Sequence, residues 1–286
     1  MIPESELIIN ADGSIYHLGL RPGEVSDFIL TVGDPDRVSN VSDHFDRIEL
    51  RRQRREFVTH TGYVGSQRVS VISSGIGTDN VEIVMTELDA LFNIDFETRT
   101  VRPVPTPIRF IRLGTSGSLR ADLPVDSLAY SATATGLDTL MAFYPLPQSG
   151  EELERGRALQ NALGLSFTPY CVPVSPGLAD RFTEGLLPAH TLTCPGFYGP
   201  QGRSLRIQPK FDNYLKIITE HRFREYSFGN FEMETAGYYA FARLLGHDFL
   251  SLNAILANRL TGKFSVRSEQ TIDTLIQTTL ARLVTV

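Results

Sequence analysis

Three short apolar runs in this chain each end in a glycine turn, and that repeated pairing constrains the fold more than any other feature. Phe28–Val32 runs into Gly33-Asp34-Pro35, residues 69–73 into Ser74-Gly75-Ile76-Gly77, and residues 110–113 into Gly114-Thr115-Ser116-Gly117. After the second turn, Val81, Val84, Leu88 and Leu91 recur at spacings of three, four and three, which predicts an amphipathic helix over 79–92. Buried strands that break at glycine and pass into helices indicate an α/β domain with a central mixed, largely parallel sheet flanked by helices. In such sheets ligands bind at the carboxyl ends of strands, where these glycine turns lie.

The rest of the chain extends the pattern. Pro103, Pro105 and Pro107 make 97–107 an exposed loop or edge excursion. Residues 128–135 and 249–256 read as strands, and 151–163, 211–223, 234–245 and 271–283 as helices. Gly164 and Gly246 stand where two of those helices should stop. No internal repeat or low-complexity linker interrupts the chain, so a single domain over 1–286 is expected.

Composition narrows the class. With 286 residues, 42% hydrophobic and 21% charged, the chain reads as a soluble globular protein. A net charge of −6 argues against a nucleic acid or an anionic membrane as partner. There is no run of 18 apolar residues and no basic segment leading into an apolar stretch at the start, so we expect no membrane span, no signal peptide and a cytoplasmic location. The sequon Asn40-Val41-Ser42 is then a chance match. Cys171 and Cys194 have neither CxxC spacing nor a histidine at metal-finger distance, and read as small buried hydrophobes. Only Lys210, Lys216 and Lys263 among the 27 basic side chains are lysines, leaving 24 arginines. That excess is either compositional bias or the trace of a local anion site, since guanidinium suits bidentate recognition of phosphate and carboxylate.

Several chemistries are absent from the text of the sequence. There is no GxxxxGK[ST] loop, HExxH, GxSxG elbow or CxxC pair, and Gly75-Ile76-Gly77 is followed by Asn80 where a dinucleotide fingerprint needs glycine. What remains is Gly33-Asp34-Pro35-Asp36-Arg37 and Arg112-Leu113-Gly114-Thr115-Ser116-Gly117. Each joins arginine to backbone amides at a strand end, and the second adds hydroxyls, the groups a phosphate dianion needs in place of water. Taken alone, the first is equally a helix-starting turn with Asp and Pro in their usual places.

GDPDR at 33–37, RREF at 54–57, SSGIG at 73–77, RLGTSG at 112–117, FYGPQGR at 197–203, EMET at 232–235 and NR at 258–259 occur in an order that resembles the nucleoside phosphorylase family and, within it, the uridine phosphorylases. The resemblance runs over about residues 15–284. It implies a nucleoside phosphorylase-like fold and a pentosyltransferase of pyrimidine salvage, which splits uridine, with deoxyuridine as a second substrate, into uracil and ribose 1-phosphate. Inorganic phosphate is then co-substrate, with no organic cofactor and no metal ligand set. By the same resemblance, Gly33, Arg37, Arg112 and Thr115 bind phosphate, joined by Arg55 from a neighbouring subunit. Glu232, Met233 and Glu234 hold the ribose, and His17 reaches the 5′-hydroxyl across a dimer. A homodimer with shared sites, assembled to a hexamer as in bacterial relatives, is implied.

Ser116, Gly117, Phe197, Gln201, Arg203 and Arg259 are the expected base contacts. A Gln amide beside a guanidinium offers donors and an acceptor to the O2, N3 and O4 edge of uracil, and can stabilise the charge that grows on the leaving base. Asn258 stands where purine-specific relatives carry a protonating Asp. Glu56 matches a position linked to a monovalent cation between subunits. The simpler alternatives are a charge run on a solvated face for Arg51, Arg52 and Arg54, helix-dipole complements for Glu232 and Glu234, core packing for Met233, and a surface histidine for His17. Rival functions are a purine phosphorylase or nucleosidase of the same family, or a silent nucleoside-binding protein. Two departures from the family pattern stand out: the long 97–107 segment, and FYGPQGR in place of FYPGQER.

Overall fold

The computed structural model describes residues 1–284. Strand β1 (Phe28–Val32) ends at Gly33, and α1 (Pro35–Ser42) starts where its sequence dictates. Asp34 caps it by accepting from the Asp36 amide at 3.0 Å, and Pro35 takes the first position. β2 (Arg47–Arg54) and β3 (Phe57–Val64) form a hairpin leading to β4 (Gln67–Ser73), and α2 (Thr78–Asn93) buries Val81, Val84, Leu88 and Leu91 as their spacing requires. The proline-rich stretch holds a two-rung hairpin, β5 (Ile94–Asp95) with β6 (Thr100–Val101), and then runs exposed to Pro107. There follow β7 (Arg109–Ser118), β8 (Leu128–Gly136), α3 (Gly150–Leu163), β9 (Tyr170–Pro173), α4 (Pro176–Phe182) and β10 (Leu187–Thr193). The chain closes through α5 (Tyr214–Glu220), β11 (Asn230–Glu232), α6 (Thr235–Leu245), β12 (Asp248–Asn258), β13 (Lys263–Phe264) and α7 (Ser268–Leu283).

Three expectations change. Gly114-Thr115-Ser116-Gly117 is not a turn: β7 continues to Ser118, because β12 pairs with it along its whole length and β11 pairs with its end. Gly114 is there for space, since a Cβ on it would lie 1.7 Å from the Arg112 guanidinium, which folds back along the same strand face. The helix expected over 211–223 shortens to α5, which starts only after Asn213 with its left-handed φ of 56°. The charge run at 51–54 is not merely a solvated face but the end of strand β2, whose burial alternates between exposed and half-buried.

The sheet is mixed, as expected, and two parallel groups organise it. β4, β1, β7 and β12 run parallel, as do β8, β10 and β11. The groups meet antiparallel twice, β12 against β8 and β11 against β7. Those two junctions close a ring, β7–β12–β8–β10–β11, so one end of the sheet becomes a small barrel while the other stays open toward β2. Helices α1, α4 and α7 cover one face through Val38, Val41, Phe182, Leu275 and Ile276. Helices α2 and α6 cover the other through Val84, Leu88, Tyr238 and Phe241, around the stacked rings of Tyr238, Phe249 and Phe110.

His190 on β10 ties the barrel to the segment before β11. Its ring stacks on Tyr226 at 3.8 Å and its Nδ1 meets the Thr133 hydroxyl at 3.0 Å. Burial first, then the charges of Arg155 and Arg120, push its pKa from 6.5 down to about 4. The unfolded chain takes up that proton near the ordinary value and the folded one only near 4, so the stability contribution is complete above pH 6.5 and lost as pH falls toward 4. Thermal melts from pH 7 to 4.5 should therefore show a drop in Tm that is shallower in His190→Gln than in the wild type; equal slopes would contradict this.

Candidate active site

A cavity of about 720 Å³ opens where β1, β7, β11 and β12 end. The size suits a small-molecule ligand. One wall is Gly33, Asp34, Pro35 and Arg37 at the start of α1, with Gly75, Ile76 and Asn80 at the start of α2. The floor is Arg112, Thr115, Glu232, Met233 and Glu234. The opposite wall is Ser116, Gly117, Phe197, Gln201, Arg203 and Phe231, closed by Leu256, Ala257 and Phe264. Twelve of the fifteen expected site residues thus meet around one cavity, drawn from segments up to 201 positions apart.

Arg112 is the centre of its electrostatics. Its side chain is 6% exposed, donates to Glu234 at 2.6 Å and to Asn253 Oδ1 at 3.3 Å, and lies 3.5 Å from Glu232. Burial opposes its charge, but Glu234 and Glu232 outweigh that and hold its pKa above the ordinary value. Burial in turn pushes the Glu234 carboxyl up, against the pull of Arg112. The other Glu234 oxygen accepts from the Gly77 amide at 2.9 Å, so this carboxylate bridges the floor and the second glycine turn. Gly77 has a φ of 100°, which a side chain would resist. Arg37, whose guanidinium reaches the Leu113 carbonyl at 3.4 Å, is destabilised as a cation by burial and by Arg112. An anion placed between them would relieve both costs.

Glu232 is held otherwise. Its Oε1 accepts from the Thr193 hydroxyl at 2.6 Å, and its Oε2 from the Glu234 amide, the Thr235 amide and the Thr235 hydroxyl at 2.8–2.9 Å. Four donors from the protein fill the carboxylate. Its geometry is that of an anchor for the first turn of α6, which sets Met233 and Glu234 toward the cavity.

On the far wall Arg203 donates to Gln201 Oε1 at 2.5 Å and to the Phe197 carbonyl at 2.6 Å, with its guanidinium 3.7 Å from the Phe197 ring centre. Guanidinium only donates, so the amide oxygen of Gln201 faces it and the Nε2 hydrogens are left free. Burial, then Arg259, push Arg203 down to about 10. Arg259 lies behind this wall rather than on it, donating to the Gln201 and Gly202 carbonyls at 3.0 and 3.4 Å.

Besides Arg259, three residues singled out in the sequence lie away from the cavity lining. Asn258 spends its amide on the Arg120 and Leu123 carbonyls and on the Leu260 and Thr261 amides. His17 donates Nδ1 to Glu87 at 2.6 Å, the same carboxylate accepting the His17 and Leu18 amides. Arg55, at the tip of the β2–β3 hairpin with φ 53°, has no ion-pair partner among the described residues; its guanidinium stands 5.6 Å from the Tyr16 ring, which also packs edge-on to His17 at 4.7 Å. Two residues 38 positions apart are thus gathered on one patch outside the cavity.

Asn80, Phe231, Leu256, Ala257 and Phe264 also line the cavity and were not singled out. Only Asn80 had a signal, standing just past the second glycine turn. Glu56, marked in the sequence for a cation, lines the cavity too, with its side chain close to Gly75, itself packed against Asn80.

A family model described as the phosphorylase superfamily matches residues 27–285. The chain is 28% identical to the uridine phosphorylase of Thermococcus kodakarensis, over 91% of this chain and 83% of that one. It is 24% identical to a purine nucleoside phosphorylase of Caldanaerobacter subterraneus, over 89% and 92%. A solved structure, described as a Trypanosoma brucei nucleoside phosphorylase that shows uridine phosphorylase activity, matches with a TM-score of 0.88 across 98% of this chain and all of that one, at 27% identity.

The anchoring of Glu232 sets a measurable cost. Glu232→Gln turns an amide NH₂ toward protein donors, so urea unfolding should show a loss of about 1–3 kcal/mol with the m value unchanged. An unchanged midpoint would mean that the carboxylate does not hold α6.

Proposed function

The chain belongs to the phosphorylase superfamily and is an enzyme of pentosyl transfer, and within that family we propose that it cleaves uridine with inorganic phosphate, giving uracil and ribose 1-phosphate. The observation that carries the uridine reading is the Gln201–Arg203 pair in the same cavity as Arg37 and Arg112. With Gln201 Oε1 flanked by its own Nε2 hydrogens and by Arg203, the wall offers donor, acceptor and donor. Uracil presents the complement at O2, N3–H and O4. Cytosine has no N3 hydrogen for the central acceptor. Phe197, 49% exposed at the cavity edge, supplies a face for the ring.

In this reading phosphate lies between Arg37, Arg112, Thr115 and the Gly33 turn, and the ribose hydroxyls on Met233 and Glu234. A phosphate oxygen forms the bond to C1′ as the C1′–N1 bond breaks, and that electron pair passes to the uracil ring. Arg203 and Gln201 meet the growing negative charge, and the phosphate charge balances the cation developing on the sugar. Among the described residues Arg203 bonds to Gln201 and the Phe197 carbonyl and to no carboxylate, which supports a base that leaves as an anion. The turned-away amide of Asn258 supports the same preference over purines.

The patch formed by Tyr16, His17 and Arg55 supports a shared site. An arginine without an ion-pair partner at an exposed hairpin tip fits a role in a second copy's phosphate site, with His17 beside it for the 5′-hydroxyl. A homodimer, built further into a hexamer, follows from this reading, as do pyrimidine salvage, a cytoplasmic location and a monovalent cation at Glu56. No helix among the described residues is long and apolar enough to cross a membrane.

Base release from uridine, deoxyuridine, thymidine, cytidine, inosine and adenosine, each with and without phosphate, tests the proposal. Uridine should be cleaved fastest and only with phosphate; phosphate-independent release or a preference for inosine would sink it. Arg203→Ala should cost about 2–4 kcal/mol in kcat/KM for uridine.

A further inference from the structure

A single file of hydrogen bonds runs round the inside of the barrel, one side chain from each strand in turn. Arg112 on β7 donates to Asn253 Oδ1 on β12 (3.3 Å), and Asn253 Nδ2 reaches Ser131 on β8 (3.2 Å). The Ser131 hydroxyl meets that of Thr191 on β10 (2.6 Å), Thr191 donates to Asn230 Oδ1 on β11 (2.8 Å), and Asn230 Nδ2 reaches Ser116, back on β7 (2.9 Å). Asn253, Ser131, Thr191 and Asn230 have no accessible surface, and Ser116 is 8% exposed where it lines the cavity.

The direction of this file is fixed from both ends, by the guanidinium of Arg112 and by the Asn230 oxygen that accepts from Thr191. Guanidinium cannot accept, so Asn253 must turn its oxygen to Arg112 and its NH₂ to Ser131. Thr191 gives its one proton to Asn230, so Ser131 must give its own to Thr191. Asn230, with its oxygen taken by Thr191, turns its NH₂ to Ser116. Each bond thereby polarises the next in the same sense. Ser116 receives a hydrogen bond from behind, and its own proton is left for the cavity.

We propose that this one-way chain holds the Ser116 hydroxyl as a hydrogen-bond donor to an acceptor atom of the bound substrate, and that Asn253, Ser131, Thr191 and Asn230 are positioning residues for it. The proposal rests on the cavity being the nucleoside site. It links the two ends of that site, because the chain that orients Ser116 starts at the arginine expected to bind phosphate. The polar residues inside the barrel, which an ordinary core would replace with aliphatic ones, are accounted for by the same chain.

The test is a set of double-mutant cycles on kcat/KM, run with whichever nucleoside of the panel above is cleaved fastest, or on the Kd for uridine if none is cleaved. A purine preference then overturns the uridine reading and leaves this test intact. Thr191→Val and Ser131→Ala each interrupt the chain without touching the cavity. Either should lower kcat/KM about tenfold, or raise the Kd as much, in the wild-type background, the worth of one hydrogen bond. In a Ser116→Ala background, where no hydroxyl remains to orient, each should cost less than about twofold. Tm measured on every variant separates loss of fold from loss of orientation, and either interruption suffices if the other variant does not fold. An equal cost in both backgrounds, or none in the wild type, overturns the proposal.

Discussion

The cavity depends on a guanidinium buried between carboxylates. Arg112 lies 6% exposed in the floor with Glu234 at 2.6 Å and Glu232 at 3.5 Å to offset its charge, and Glu234, buried as deeply, has Arg112 as its cationic partner. A buried ion pair of this kind is weak evidence of stability, since the cost of removing charges from water rivals their attraction. What it gives is position. Glu234 carries the constraint to Gly77 and the start of α2, Glu232 carries it to α6, and Asn253 carries it into the barrel. Three elements distant in sequence are thereby held to one another at the point where chemistry is proposed.

The closed ring of strands makes that arrangement possible. An open doubly wound sheet buries its strands under helices on both faces and fills them with aliphatic residues. Here five strands enclose an interior narrow enough for side chains of successive strands to meet, and the side chains that meet there include Asn253, Ser131, Thr191 and Asn230. Every buried polar group in that file has a partner, which is the condition for such a network to specify one arrangement rather than loosen the core. The open half of the sheet, from β1 to β3, carries the aliphatic core in the usual way.

The division of roles within EMET follows from the same logic. Glu232 ends β11 and Glu234 stands at the start of α6, and the bend between them brings both carboxylates to Arg112, at 3.5 and 2.6 Å. Glu232 is drawn back by four donors at the start of α6, and Glu234 is left with Arg112 and a single amide. Two identical carboxylates two positions apart are given different work by their surroundings alone.

The α/β class, α2, α6 and the glycine turns at 33 and 75 were legible in the sequence because each rests on local chemistry: apolar spacing, a capping Asp, a glycine where the backbone must turn. So were most of the residues that meet in the cavity, through motifs in a recognisable order. The sequence by itself determined which side chains were available and which segments could be strands or helices. Tertiary structure decided the rest. The strand character of 114–117 comes from pairing with β12, more than 130 residues away. Strands β10 and β11 are buried on both faces, Leu192 and Phe231 in an apolar cluster and Thr191, Thr193, Asn230 and Glu232 among hydrogen-bond partners, so their polar positions do not mark a solvent face. The direction of the Asn253 amide depends on a guanidinium on another strand, and that of Asn230 on hydroxyls of two others. Pairing and hydrogen-bond direction are properties of two distant segments at once, and no local pattern in either can record them.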